Sequence, residues 1–349
     1  MKKSQLKKNF TYFTFLILIF IFIFTILEIS LRLLIKQTHS FNCYKKNNNK
    51  LKYTNGKNCY FVEKYFEKKK PTIYITDSNG FRTNIQHVKK YFNKIYFVGD
   101  SFTFGHLSDY EETYPFNAIK YLNENNYPKY QEINMGVNGY QFRQNIFLIK
   151  KISEKNLENF NIIYGLTPND LFDLERNQAN KNKINLVDYI KIRIDKINLV
   201  SVKILTSFIL KNDYLYSIIH RNRGVAAGYL TKNSSIFWDE KYEIFENEIK
   251  HLPKDIKEKL IITIIPQQAQ IRLLKNNSIE DGLSFDKKIL SICNRIKIRC
   301  ISITEKLSAK MKYKTHYTLD GHLLPSTNIE YGRLLGKYLL SLKSKNEYM

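Results

Sequence analysis

The stretch Tyr96-Phe97-Val98-Gly99-Asp100-Ser101-Phe102-Thr103-Phe104-Gly105 constrains the fold of this chain more tightly than any other. A short apolar segment runs into Gly-Asp-Ser and then into aromatic residues closed by a second glycine. That pattern predicts a strand ending in a tight turn, with a serine at the start of a helix. The serine hydroxyl would stand at the carboxyl edge of a sheet, beside helix N-terminal N–H groups able to hold a developing oxyanion. Asp and Ser also cap helices in ordinary strand-to-helix turns, so the stretch alone serves structure as well as chemistry.

Three downstream elements shift that balance. Asn134-Met135-Gly136-Val137-Asn138-Gly139-Tyr140 follows a predicted helix at about Tyr114 to Asn125 and a short strand at Tyr130 to Asn134. Its glycines let backbone approach a ligand closely. Ile162-Ile163-Tyr164-Gly165-Leu166-Thr167-Pro168-Asn169-Asp170 is an apolar strand closed by Pro-Asn-Asp. Asn169 there can donate its amide to an oxyanion, or simply shape a turn. Tyr317-Thr318-Leu319-Asp320-Gly321-His322 precedes an amphipathic C-terminal helix. Residues two apart in an extended segment point the same way, so Asp320 can orient His322, the acid–base half of a serine triad.

Together the four elements resemble, in order and spacing, the SGNH or GDSL-type hydrolase superfamily, over roughly residues 71 to 343. The lead-in Thr76-Asp77-Ser78-Asn79-Gly80-Phe81-Arg82 is similar to that of membrane-anchored bacterial members. The resemblance implies Ser101 as nucleophile, His322 as general base and Asp320 as its orienter. It implies an oxyanion hole of Gly139, Asn169 and the Ser101 N–H, a three-layer flavodoxin-like α/β fold, and no cofactor. Two departures stand out. Thr167-Pro168-Asn169-Asp170 replaces the usual Gly-x-Asn-Asp, and Asp320-x-His322 is one residue shorter than the usual Asp-x-x-His. The shorter spacing resembles acyltransferase-related members that act on bacterial polysaccharides. By that resemblance the expected activity is a serine esterase or O-acetyltransferase on a cell-surface glycan. The alternatives are a lipid or small-ester hydrolase and a non-catalytic glycan-binding scaffold of an envelope complex with partner proteins.

Rival residues are weaker. His316 lies six residues before His322 but has no carboxylate two or three residues on its near side, and His106 near the serine suits a surface or cleft-lining position. Gly99-Asp100 with Asp320 and His322 lacks the further Asp/His clusters a metallophosphoesterase needs, so no metal is expected.

Phe10 to Leu27 is an 18-residue run without a charge. As a helix it would span roughly 27 Å, close to a hydrocarbon core. Lys2, Lys3, Lys7 and Lys8 precede it, which by the positive-inside rule keeps the amino terminus cytoplasmic and exports the rest. A cleaved signal peptide is the alternative, but no small-x-small site follows the run. The formal net charge of +24 is spread along a Lys-, Asn- and Ile-rich chain without an arginine-rich cluster, so no nucleic-acid partner is expected. Such a charge favours an anionic glycan or membrane.

The expected organisation is a tail and anchor over 1–36, a Lys/Asn/Tyr-rich stalk over 37–70, and a hydrolase-like domain over 71–349. A helical insertion over the cleft is expected at about 173–251, with helical stretches at Ile184 to Leu210 and Tyr242 to His251. Parallel strands are predicted near Lys94 to Val98, Tyr130 to Asn134, Asn161 to Tyr164, Leu260 to Ile265 and Ile296 to Ile303. Cys43 with Cys59 and Cys293 with Cys300 form two local pairs on the exported side, read as disulfides or as buried thiols.

Overall fold

The computed structural model describes residues 2–34, 43–47, 51–65, 67–84, 91, 93–125, 129–154, 160–172, 201, 235–276, 278–312, 314–318 and 320–344. Five parallel strands carry the domain: β6 (Asn93–Gly99), β7 (Tyr130–Asn134), β8 (Phe160–Leu166), β9 (Leu260–Ile264) and β10 (Arg299–Ser302). In space they run β7-β6-β8-β9-β10, with Val98 opposite Tyr164 and Tyr164 opposite Ile262. This is the flavodoxin-like order, in which the first strand of the series lies inside the second.

The period of two along β6 explains the layers. Ile95 and Phe97 point to one face, where they join Ile163, Ile261, α3 (Tyr114–Asn125) and the C-terminal helix Pro325–Ser344. Tyr96 and Val98 point to the other, where Phe142–Ser153, Ser235–Lys250 and Ser284–Arg295 pack over Ile162, Tyr164 and Ile262. All these strand residues are at least nine-tenths buried, so each face is covered by helices, as a parallel sheet requires. α3 and the C-terminal helix meet along a glycine seam. A Cβ on Gly332 would lie 2.6 Å from Tyr114 O, and one on Gly336 2.6 Å from Ala118 O. The helices approach this closely only because both positions lack side chains.

Three expectations are corrected. The predicted stalk is largely structured: β1 (Tyr44–Lys46) pairs with β2 (Tyr53–Asn55), and β3 (Tyr60–Glu63) is a strand of the main sheet. β3 pairs with β4 (Thr72–Thr76), β4 with β5 (Arg82–Thr83), and β5 with β7 at Arg82 and Asn134, all antiparallel. Leu51 is buried in the core of the domain, and a disulfide joins Cys43 to Cys59. Strands of two to five residues carry too few alternations for a period to show in so polar a composition. The turn between β4 and β5 is built by the Asp77 carboxylate, which accepts from Asn79 N and Phe81 N.

The last strand is shorter than expected. The helix before it runs to Arg295, and Lys297 takes a left-handed φ of 58°, so Ile296–Ile298 close a turn beside the Cys293–Cys300 disulfide. Finally, Tyr242 to Lys250 belongs to a helix whose Trp238, Tyr242, Phe245 and Ile249 pack on the sheet, a crossover layer and not a cover for the cleft. The rest of the predicted insertion, including 184–200 and 202–210, lies outside the described residues.

At the amino terminus α1 (Lys2–Leu34) contains Asn9–Leu31, a segment long and apolar enough to cross a membrane; a signal sequence meets the same description.

Candidate active site

The site lies at the carboxyl ends of β6, β8 and β9. Asp100 is the N-cap of a one-turn helix, α2 (Ser101–Phe104), and its Oδ1 accepts from Phe102 N at 2.9 Å. This cap fixes Ser101 at the first helical position. The neighbouring β7 loop docks on the same turn: Val137 N donates to Gly99 O at 3.1 Å and Asn134 Nδ2 to Thr103 O at 2.9 Å. At Gly136 a Cβ would lie 2.2 Å from Phe104 N, so only glycine lets the loop lie against the helix. Gly139, further along this loop, has φ +77°. Its carbonyl neighbour Asn138 O accepts from Tyr53 OH at 2.9 Å, so part of the predicted stalk props the loop.

His322 sits on a hairpin-like loop. Its strands are tied by Tyr317 N to His322 O and Leu324 N to Thr315 O, each 2.9 Å, and by a bridge between His316 and Leu323. Gly321 makes the bend at φ +83°. The loop brings His322 Nε2 to 2.6 Å from Ser101 Oγ, while Nδ1–H donates to Asp320 Oδ1. Ser101, His322 and Asp320 are therefore in hydrogen-bond sequence. The Asp320 carboxyl is subject to burial, which would raise it, but the His322 charge and the donors around it hold it well below the usual carboxylate range. Burial likewise opposes a charged His322, yet the Asp320 field outweighs it and raises the imidazole above its ordinary value.

Asn169 reaches the same turn from the end of β8. Its Nδ2 donates to Asp100 Oδ2 at 3.1 Å, and its Oδ1 accepts from Gln267 Nε2 at 2.8 Å. Those two contacts fix the amide plane and leave the second Nδ2 hydrogen a set direction. Thr167, in the position where the resembled family has glycine, donates its hydroxyl to Asp100 Oδ2 at 3.2 Å. Burial pushes the Asp100 carboxyl up, against the pull of these donors. Asp170 takes no part in the cleft. Burial and then the neighbouring Asp100 push its carboxyl far up, and it accepts from Tyr164 OH at 2.9 Å.

His316 is wholly buried away from Ser101. Its Nε2 lies 3.1 Å from Pro266 O, an acceptor only, so Nε2 carries the proton and Nδ1 accepts from Thr315 Oγ1 at 2.8 Å. Burial lowers its pKa to about 3.

Sequence reasoning missed a layer behind Asp320. His106 Nε2 lies 3.7 Å from Asp320 Oδ2, and its Nδ1 lies 3.8 Å from Glu63 Oε2. Tyr74 OH donates to Glu63 Oε2 at 2.7 Å and stacks its ring on His106. Arg82, from the lead-in motif, is buried beneath the Tyr74 and Phe104 rings and donates to Ile73 O and Ser108 O at 3.1 and 2.9 Å. Only a histidine near the serine hinted at this layer, because Glu63 and Tyr74 come from distant strands. Among the described residues, His106, Asp320 and His322 offer ligand atoms within 4.8 Å of one another. His322, however, has one ring nitrogen engaged by Asp320 and the other by Ser101.

No family model matches the sequence, and no curated protein matches it. Solved structures do resemble it. A lipolytic protein of the G-D-S-L family from Veillonella parvula is 11% identical, with a TM-score of 0.40 over 71% of this chain and 98% of its own. A lipase/acylhydrolase from Enterococcus faecalis is 11% identical, with a TM-score of 0.39 over 71% and 96%. An acetyl xylan esterase is 13% identical, with a TM-score of 0.39 over 71% and 98%. The strand order of this chain is the flavodoxin-like one, and Ser101, His322 and Asp320 stand in the geometry of a serine triad.

Proposed function

We propose that the chain is a serine esterase or O-acyltransferase that works through an acyl-enzyme on acyl esters of a cell-surface glycan, tethered by α1 with the catalytic domain outside the membrane. The observation that carries the chemistry is the 2.6 Å separation of Ser101 Oγ and His322 Nε2 with Asp320 on the opposite ring nitrogen. His322 takes the Ser101 proton as Oγ attacks the ester carbonyl, and the imidazolium that forms is stabilised by the Asp320 charge. The oxyanion is held by Ser101 N–H, Gly139 N–H and the second Asn169 Nδ2 hydrogen. Collapse expels the alcohol, which receives the proton from His322 and leaves acyl-Ser101. Water or a sugar hydroxyl, deprotonated by His322, then releases the acyl group as acid or as a new ester. The glycan assignment is supported by the Asp320-x-His322 spacing, which resembles polysaccharide-modifying members, and the orientation by the four lysines before the apolar run.

The test uses the full chain in detergent. A serine-directed phosphonate should label Ser101, and labelling should vanish in Ser101→Ala and fall steeply in His322→Ala. With a chromogenic acetyl ester as donor, a glycan acceptor should divert acetyl from water to sugar if transfer is the reaction, since a bound hydroxyl outcompetes water through its effective concentration. Acetate release without acetylated glycan marks a plain esterase. No labelling overturns the catalytic reading and leaves a binding scaffold.

A further inference from the structure

A concavity of about 350 Å³, lined by none of the triad residues, lies between the helix that follows Gln267 and the loop that carries His322. One wall is the helix Gln268–Lys275, which begins directly after Gln267, the residue that holds the Asn169 amide. The other wall and the floor come from the strand of the His322 hairpin that carries Thr315, His316 and Thr318. His316 is paired with Leu323, the residue after His322, so the cavity and the triad are built on two sides of the same loop.

Its lining is cationic, with one carboxylate behind it: Glu67 Oε2 accepts from Thr318 N at 2.9 Å. Among the described residues Arg272, Lys275 and Lys314 all line it and no carboxylate does. Lys275 and Lys314 are exposed at the rim and Arg272 is half-buried, while Thr315, His316 and Thr318 are buried. Lys314 shares its charge with Glu67. His316 cannot add a cation, because burial keeps the imidazole neutral. Thr318 is 3% exposed, and its buried Oγ1 has no hydrogen-bond partner among the described residues. A buried hydroxyl without a partner costs free energy until a ligand atom reaches it. Cations at the rim and an unmatched hydroxyl in the floor suit a ligand oxyanion.

We propose that this cavity is a subsite for an oxyanion, a carboxylate or a phosphate, carried by the glycan whose ester Ser101 attacks. The inference rests on the esterase reading for its link to turnover, and names the class of glycan as anionic. A neutral glycan would bring no opposite charge to the cationic rim of Arg272 and Lys275, whereas Lys314 is already paired with Glu67.

Binding to the full chain carrying Ser101→Ala separates this proposal from the catalytic one, because no turnover is involved. The probes are tetragalacturonic acid for the carboxylate, a glycerol phosphate oligomer for the phosphate, and neutral galactotetraose, titrated by calorimetry in detergent at low and high salt. One anionic probe should bind about tenfold more tightly than the neutral one, as one half-buried and one exposed charge contact together imply, and the preference should shrink with salt. Adding Lys275→Glu, a change at an exposed rim position, should abolish the preference; Arg272→Gln should reduce it. Whichever anionic probe binds identifies the group. Equal affinity for all three probes, or an anionic preference untouched by both substitutions, overturns the subsite. Failure of phosphonate labelling would overturn the catalytic reading without altering this result.

Discussion

At the residue scale Asn169 is the most exposed to test, because the proposed mechanism gives one amide two tasks. Half of its donor capacity stabilises buried Asp100 and the remaining N–H is assigned to the transition state. Asn169→Ala should therefore lower kcat on a chromogenic acetyl ester by roughly 10² to 10³ with KM little changed, the mark of a donor aimed at charge that develops only during reaction. A rise in KM with kcat intact would show that Asn169 acts on ground-state binding alone. Asp100 will feel the loss too, since its burial is compensated by Asn169, Thr167 and Phe102 N together.

At the scale of elements, the hairpin that carries His322 is held by His316, and that dependence has a pH signature. The folded state lowers the His316 pKa from 6.5 to about 3, so folding favours the neutral ring. Its contribution is complete above pH 6.5 and is lost progressively as pH falls toward 3, the loss reaching about 2 kcal/mol at pH 5. Thermal melts of wild type and His316→Gln should diverge across this range. The wild type should lose stability between pH 6.5 and 5 that the variant, whose amide can still donate to Pro266 O, does not lose; parallel curves would rule out a neutral His316. The hairpin also shows what a sequence can and cannot carry. Asp320 and His322 are two residues apart, so their pairing was legible from local geometry. His106 reaches Asp320 from 214 positions away, and Glu63, behind it, stands 257 positions from Asp320; nothing local encodes such a meeting. The same holds for Gly332 and Gly336, which look like flaws in a helix until the backbone of α3 is seen against them. The parallel strands β6, β8 and β9 were readable because each centres on an apolar run, whereas β1 to β5 draw their order from neighbours, a disulfide and a buried arginine.

On the scale of the whole molecule, the four lysines before the apolar run set an orientation that can be tested directly. Protease added outside intact cells or spheroplasts should degrade the chain beyond about residue 43 and spare the basic tail; protection of the catalytic domain would reverse the proposed topology. The structured segment from Cys43 onward also changes the geometry of attachment. Only residues 35–42 separate α1 from the folded domain, and eight residues fully extended reach at most about 29 Å. With α1 as the proposed membrane anchor, an enzyme held on so short a leash would not sample the bulk. Its substrate encounter becomes a nearly two-dimensional search, governed by what the bilayer surface concentrates within a leash length, and lengthening that leash would alter turnover without touching one atom of the triad.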